Sequence, residues 1–183
     1  MVSRVLILLL LCLGAVCPAN GSPARPPGPP WRHHIFLSHR GPDGRHKFTD
    51  HLDAALRRSK RINVFRDDHD LPRGENVTEA ISRAIEGSML SIVVLSGGYA
   101  SSEYCLDELV KIMRCREENG HQAFPVFYRV SPDDDVADPA SSGVYKADLD
   151  RHKRKYSYER VNGWIHALRS ISHISGWVIT DHT

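Results

Sequence analysis

The fold class follows from one apolar run, Met89-Leu90-Ser91-Ile92-Val93-Val94-Leu95-Ser96, and from the stretch that comes directly after it. Such an unbroken apolar run is typical of a strand that is buried on both faces of a parallel sheet. Residues 99–118 then carry apolar side chains at helical spacing, and Asn119-Gly120 is a typical C-terminal cap. A buried strand followed by a long helix indicates an α/β protein.

The remainder of the chain alternates in the same way. Strands are predicted at residues 35–38, 62–65, 89–95 and 123–128, with a further candidate at 177–179. Helices are predicted at residues 44–59, 77–86, 99–118, 144–152 and 161–174. This alternation predicts a parallel sheet covered by helices on both faces. A length of 183 residues leaves room for one such domain with a sound core.

Glu108 has an unusual place on the helix predicted for residues 99–118. The apolar stripe of that helix consists of Cys105, Leu106, Leu109, Val110, Ile112 and Met113. Asp107 points away from the stripe, whereas Glu108 lies on its margin, about 40° around the helix from Ile112. We therefore expect the Glu108 carboxylate to be neither freely solvated nor fully buried. On these residues alone, a helix-surface glutamate at an amphipathic boundary is the commoner explanation.

Nine blocks of sequence, in order, resemble plant Toll/interleukin-1 receptor (TIR) domains. They are Ile35-Phe36-Leu37-Ser38-His39-Arg40-Gly41, Phe65-Arg66-Asp67-Asp68, Leu71-Pro72-Arg73-Gly74-Glu75, Ala84-Ile85-Glu86-Gly87-Ser88, Ser91-Ile92-Val93-Val94-Leu95-Ser96, Tyr99-Ala100-Ser101-Ser102, Cys105-Leu106-Asp107-Glu108-Leu109, Pro125-Val126-Phe127-Tyr128 and Ser175-Gly176-Trp177. The resemblance implies a flavodoxin-like three-layer fold with the sheet order 2-1-3-4-5. In that order ligands bind outside the carboxyl ends of strands one and three, where residues 38–41 and 96–108 are expected to converge.

The resemblance also implies an activity. The chain is similar to TIR domains that act as NAD⁺ glycohydrolases or ADP-ribosyl cyclases in plant innate immunity, with the carboxylate equivalent to Glu108 as the catalytic group. The chemistry suits a lone carboxylate, because nicotinamide leaves as a neutral molecule while positive charge grows on the ribose. NAD⁺ is then the substrate, and neither a cofactor nor a metal is implied. The alternative is a non-catalytic module that only binds other TIR domains.

The same resemblance assigns the binding of NAD⁺ to residues of the two converging segments and the turn after the first strand. Arg40 suits a phosphate, although it could pair with Asp43 instead. His39 stands where the family usually has phenylalanine and could still stack on a base. Ser102 could bond the sugar, but the helix N-cap is the stronger interpretation. The remaining candidates are Gly41, Arg45, Gly74 and Tyr104, of which Tyr104 replaces a common tryptophan and offers an aromatic wall.

Two further sets of residues are implied in assembly. The loop after the second strand carries Asp68, Arg73 and Glu75, and in catalytic TIR assemblies this loop closes the site of a neighbouring protomer. Asp50, His51 and Gly143 match positions used for self-association. The expected partners are therefore copies of this chain and other TIR proteins. Plain connections and solvated helix faces are the default explanation for such residues.

The ends of the chain and its charge complete the sequence-based assignment. Residues 1–21 resemble a secretory signal or signal anchor, residues 22–30 a Pro-rich linker, residues 31–179 the TIR domain and residues 180–183 a tail. Past the leader only Cys105 and Cys115 remain, and they point in different directions on one helix, so we expect a cytoplasmic domain. Membrane contact is expected only if the leader is retained. A formal net charge of +2 with interspersed signs gives no reason to expect a nucleic-acid partner.

Overall fold

Buried strands and amphipathic helices alternate along the chain. The computed structural model describes residues 31–41, 48–58, 62–66 and 76–180. The strands are β1 (His33–His39), β2 (Val64–Arg66), β3 (Ser88–Leu95), β4 (Gln122–Tyr128) and β5 (Trp177–Ile179). The helices are α1 (Phe48–Arg58), α2 (Val77–Glu86), α3 (Glu103–Asn119), α4 (Lys146–Lys153) and α5 (Tyr158–Ser172). The predicted leader, linker and residues 181–183 of the tail lie outside the described residues.

The five strands form one parallel sheet in the order β2-β1-β3-β4-β5, which confirms the predicted topology. Strand β1 lies between β2 and β3, and Phe36 is in register with Phe65 on one side and Ser91 on the other. The strands that follow β1 in sequence thus lie on both sides of it, so the order of the sheet reverses at β1. This reversal creates the crevice expected at the carboxyl ends of β1 and β3.

Two apolar clusters occupy the two faces of the sheet. Phe36, Val93 and Leu95 belong to the larger cluster, which α2, α3, α4 and α5 cover. Alternate residues of the same strands, such as Leu37 and Ile92, belong to the second cluster, into which α1 packs. Because successive side chains of a strand point to opposite faces, these strands are buried on both sides and have no polar face.

The predicted helix 99–118 is wrong at its start. Residues Tyr99–Ser101 form a separate 3₁₀ turn, and Ser102 is extended, with φ −99° and ψ 116°. The Ser102 side chain accepts a hydrogen bond from the Cys105 amide at 3.3 Å, so it is the N-cap of α3. At the other end Gly120 adopts the left-handed conformation (φ 65°) predicted for the C-cap. A local cap, which helical periodicity does not reveal, thus moves the start of the helix to Glu103.

Membrane-spanning character is not found in the fold itself. Across the described ranges, no helix combines the length and the apolar composition that crossing a bilayer requires.

Buried His121 makes the stability of the fold depend on pH. Its Nε2 lies 2.8 Å from Ser91 Oγ, and burial lowers the pKa of the imidazole to about 4. The unfolded chain, whose histidine titrates near its usual value of about 6.5, therefore binds the proton more tightly than the folded one. The contribution of His121 to the free energy of unfolding is therefore fully present above about pH 6.5. It is lost as the pH drops toward 4, by roughly 3 kcal/mol at most.

The His121→Gln variant keeps a hydrogen-bonding side chain but does not titrate. Urea unfolding at pH 7 and pH 4.5 is expected to show a smaller loss of unfolding free energy in this variant than in the wild type. Carboxylates that titrate in the same range affect both proteins and cancel in the comparison. Equal losses in the two proteins would contradict the assignment to His121.

Candidate active site

Glu108 lies in the second turn of α3 and faces the carboxyl end of β1. Its side chain is buried, with the residue only 2% exposed, and its Oε2 accepts a hydrogen bond from Ser38 Oγ at 2.7 Å. The expectation of a half-buried carboxylate was therefore wrong. A helical wheel places Glu108 on the margin of the stripe, but β1 ends directly opposite that margin and covers it. The carboxylate is not turned out to bulk water.

Further contacts join the end of β1 to the start of α3. The Tyr99 hydroxyl lies 2.9 Å from Ser38 Oγ and donates to the Cys105 carbonyl oxygen at 2.9 Å. The Cys105 thiol donates to the His39 carbonyl oxygen at 3.4 Å. Residues 38–41 and 96–108 thus converge as the sheet order predicts, and Glu108 lies at their meeting point.

A cavity of about 140 Å³ adjoins Glu108 between α2 and α3. It is lined by two helices, with Thr78, Ile81 and Ser82 from α2 and with Tyr104, Asp107, Glu108 and Lys111 from α3. The Tyr104 ring is 58% exposed and stands at its rim. Ligand pockets usually measure about 300–1,000 Å³, so the described residues enclose space for one part of a dinucleotide.

The wall of the cavity that α3 forms also carries a cation. Lys111 Nζ, one helical turn after Glu108, forms an ion pair with Glu86 of α2. This pair links α2 and α3 beside the cavity.

Only some of the residues predicted to bind NAD⁺ line the cavity. Tyr104 and Glu108 share the cavity, whereas Arg40 and Gly41 are half-buried after β1 and do not line it. His39 is 2% exposed, and because successive strand residues alternate, its side chain points to the opposite face of the sheet from Ser38 and Glu108. Its stacking on a base stays a prediction. Ser102 serves as the N-cap. Arg45, Gly74 and the predicted lid residues lie outside the described residues; those lid residues are Asp68, Arg73 and Glu75.

The predicted self-association residues have intramolecular contacts as well. Asp50 Oδ1 accepts a hydrogen bond from Arg66 Nη1 at 2.8 Å, and Arg66 is a buried guanidinium that also lies 3.6 Å from Asp53 Oδ2. His51 is exposed on α1.

Gly143 is required by the backbone of its own chain. It has φ +78°, and a Cβ there would lie 2.8 Å from the Asp134 carbonyl oxygen. It precedes the first residue of α4 by three positions, because that helix begins at Lys146 and not at residue 144 as predicted.

Sequence reasoning missed the role of Asp107, which was expected to point away from the core. Its carboxylate accepts hydrogen bonds from Trp164 Nε1 at 2.8 Å and from Arg160 Nη2 at 2.6 Å, so it docks α3 onto α5. The Arg160 guanidinium also lies over the Trp164 ring, 5.1 Å from its centroid. Trp164 and Arg160 are four residues apart on α5, a spacing that places both on one face and is the only signal in the sequence.

Metal ligation finds no support around this site. Within ranges 31–41, 48–58, 62–66 and 76–180, the acidic, histidine and cysteine side chains form no group of three that could hold an ion.

Comparison with known proteins identifies close relatives. A family model described as TIR domain matches residues 32–182. The disease resistance protein RPV1 of Vitis rotundifolia is 42% identical over 147 residues, which cover 80% of this chain and 10% of that protein. The probable disease resistance protein RPP1 of Arabidopsis thaliana is 36% identical over 156 residues, covering 85% of this chain and 13% of RPP1. The chain thus spans about a tenth of the length of these relatives.

A solved structure agrees with these relatives. It is the structure of the activated Roq1 resistosome, which is described as directly recognizing the pathogen effector XopQ. Its TIR domains superimpose on this chain with a TM-score of 0.73 at 36% identity. The match covers 81% of this chain and 89% of the Roq1 chain.

Proposed function

Because the chain belongs to the TIR domain family, we propose that it cleaves the bond between nicotinamide and ribose in NAD⁺ and that its products act as signals in plant immunity. One observation carries the proposal: a buried carboxylate, Glu108, is held by a hydrogen bond at a cavity rimmed by an aromatic ring. The sequence relatives are disease resistance proteins, which favours the immune role.

The reaction needs one anion beside the sugar. As the N-glycosidic bond breaks, its electron pair leaves with nicotinamide, which becomes neutral, and positive charge develops at the ribose carbon. The Glu108 carboxylate stabilises that charge and can accept hydrogen bonds from ribose hydroxyls. Water then attacks the same carbon and loses a proton, so NAD⁺ and water give ADP-ribose, nicotinamide and H⁺. An internal nucleophile of the substrate would give a cyclic product instead.

The cavity is of a size for the reacting end of the substrate. About 140 Å³ is less than the usual volume of a whole ligand site, so the nicotinamide and ribose would lie here and the adenosine half outside. Tyr104 would pack on the nicotinamide ring or the ribose. Arg40, which follows β1 at the switch point of the sheet, would bind the pyrophosphate through its guanidinium.

Self-association would complete the site. We propose that Asp68, Arg73 and Glu75 of one protomer close the cavity of a neighbour, and that Asp50, His51 and Gly143 lie at contacts between protomers. The Roq1 TIR domains belong to an assembly, the resistosome, which favours self-association of this chain as well. A cytoplasmic location fits two buried cysteines that form no disulfide, Cys105 and Cys115.

Nicotinamide release tests the proposal. Purified protein at high concentration, or with a crowding agent to promote assembly, is expected to release nicotinamide from NAD⁺, as followed by chromatography. The Glu108→Ala variant is expected to release only the background amount. Equal release by the two proteins, or none by either, would contradict the proposal.

A non-catalytic module that binds other TIR domains is the second candidate. The small enclosed volume and the buried His39 favour it, since both leave less room for a dinucleotide. Concentration-dependent growth in light scattering, with NAD⁺ left intact, would support this candidate over the enzyme.

A further inference from the structure

Two buried hydroxyl groups connect the Glu108 carboxyl to the backbone of its own helix. Ser38 Oγ lies 2.7 Å from Glu108 Oε2 and 2.9 Å from the Tyr99 hydroxyl oxygen. The Tyr99 hydroxyl in turn lies 2.9 Å from the Cys105 carbonyl oxygen. Three hydrogen-bond contacts thus run in series through Ser38 and Tyr99, and both residues are fully buried.

Counting hydrogens gives the direction of these bonds when Glu108 is ionised. A serine hydroxyl has one hydrogen, and Ser38 donates it to the carboxylate. Two hydrogens then serve three contacts: the single Tyr99 hydrogen, which is donated to the Cys105 carbonyl oxygen, is also within reach of Ser38 Oγ. When the phenol turns toward Ser38, it polarises the serine hydroxyl and strengthens its bond to the carboxylate.

The same atoms also accommodate a protonated Glu108. The carboxylic acid can then donate to Ser38, Ser38 to Tyr99, and Tyr99 to the Cys105 carbonyl oxygen, with one hydrogen in each contact. Burial raises the pKa of Tyr99 well above its usual value, with the neighbouring Cys105 and Glu108 adding to the effect. The phenol therefore keeps its hydrogen and remains a donor in both states.

We propose that Ser38 and Tyr99 form a hydroxyl relay that fixes the orientation of the Glu108 carboxyl and sets its proton affinity. The proposal rests on the proposed function for its catalytic consequence, but not for its effect on the carboxyl itself. Ser38 and Tyr99 are positioning residues: they act through Glu108 and do not touch the substrate. The relay links Ser38 of a strand to a 3₁₀ turn and a helix, whose residues Tyr99 and Glu108 lie 61 and 70 residues further along the sequence.

Other ionisable groups also surround Glu108, and the two variants that test the relay, Ser38→Ala and Tyr99→Phe, do not replace them. On α3 these are Tyr104, Asp107 and Lys111, which line the same cavity, and Lys111 is paired with Glu86 of α2. Around Tyr99 the neighbouring groups are Cys105 and Tyr145. Because Ser38→Ala and Tyr99→Phe leave all of these groups in place, a change in the titration of Glu108 in these two variants reports the relay.

The Ser38→Ala variant is expected to raise the pKa of Glu108 by about one unit, since a hydrogen bond donated to a carboxylate favours the ionised form. The acid limb of the pH–kcat profile should move to higher pH by the same amount. We expect kcat at neutral pH to fall about tenfold with KM changed less than threefold. Tyr99→Phe should shift the limb in the same direction by less, because it removes only the second hydroxyl. Ser38→Thr, which retains the hydroxyl, should restore the wild-type profile.

Matched controls exist within the same core. Tyr145 is also fully buried and donates to a backbone carbonyl, that of Ser96 at 2.8 Å, so Tyr145→Phe removes a comparable hydroxyl outside the relay. Ser91, a buried strand serine bonded to His121, gives the matching control Ser91→Ala. Both controls should leave the acid limb where it is in the wild type.

The test uses the full 183-residue chain and two readouts. One is the pH–rate profile, and the other is the ¹³C shift of the Glu108 carboxyl during a pH titration, assigned with Glu108→Gln. Unchanged carboxyl titration in Ser38→Ala and Tyr99→Phe would overturn the relay, whatever the activity. If the carboxyl titration shifts in these variants but the wild-type chain releases no nicotinamide, the relay is upheld and the proposed function is rejected. If Ser38→Ala does not fold, Tyr99→Phe compared with Tyr145→Phe decides alone.

Discussion

Replacing Glu108 with glutamine is expected to lower kcat for nicotinamide release by about 10²–10³-fold, the usual cost of removing one preorganised electrostatic group from an active site. Glutamine has nearly the same size and can still bond Ser38, so the packing between α3 and β1 is retained. The negative charge is lost, and with it the stabilisation of the ribose cation. KM should change only a few-fold, because the charge acts mainly in the transition state.

Steady-state kinetics with chromatographic detection measure this effect, and thermal unfolding checks that the variant is folded. Glu103→Gln is the matched control on the same helix: Glu103 pairs with Lys155 at 3.2 Å and does not line the cavity. It should leave kcat within a few-fold of the wild type. A Glu108→Gln variant that keeps more than a tenth of the wild-type kcat would show that the charge is not what drives the reaction.

Replacing Trp164 with alanine is expected to lower the free energy of unfolding by about 3–5 kcal/mol. The ring is 1% exposed in the larger apolar cluster, and its Nε1 donates to Asp107. The substitution therefore removes a large packed side chain and one of three hydrogen bonds that dock α3 onto α5. Because Asp107 precedes Glu108 directly, this docking also supports the helix that carries the candidate catalytic group.

Urea unfolding followed by circular dichroism measures this loss. Trp164→Phe keeps most of the packing and loses the indole donor, so about 1–2 kcal/mol is expected. Trp31, which is 45% exposed, provides the control, and Trp31→Ala should cost less than about 1 kcal/mol. A loss below about 1 kcal/mol in Trp164→Ala would contradict the assigned role of the docking contact.

The strands and helices could be predicted because they follow from periodic patterns, whereas the order of the sheet and the location of the crevice were implied by the resemblance to TIR domains. The run Met89 to Ser96 is apolar apart from two serines, and nearly all of it proves to belong to the central strand of a sheet buried on both faces. Helix α2 agrees with its prediction at both ends, because its apolar positions repeat at helical spacing and Asn76 caps it. Even the short strand β5 was identified, since Trp177-Val178-Ile179 has strong strand propensity.

The burial of individual polar groups could not be predicted. Helical spacing gives the angle of Glu108 on α3 but does not reveal which residue its carboxylate contacts. That residue is Ser38, which is 70 residues away in sequence. Asp107 was misjudged for the same reason, because α5 binds it. Ser102 shows the local counterpart: its side chain accepts a capping hydrogen bond from the Cys105 amide, so the helix begins later than apolar periodicity suggests.

The central claim is that Glu108 contacts the ribose of NAD⁺ in the cavity between α2 and α3. A crystal structure of the protein bound to a carbocyclic NAD⁺ analogue, whose nicotinamide bond cannot be cleaved, tests it most directly. The account predicts a ring hydroxyl of the analogue within about 2.6–3.2 Å of a Glu108 carboxylate oxygen, with Tyr104 against the nicotinamide or the sugar ring. An analogue bound elsewhere, with this cavity empty and Glu108 without contact to it, would contradict the account.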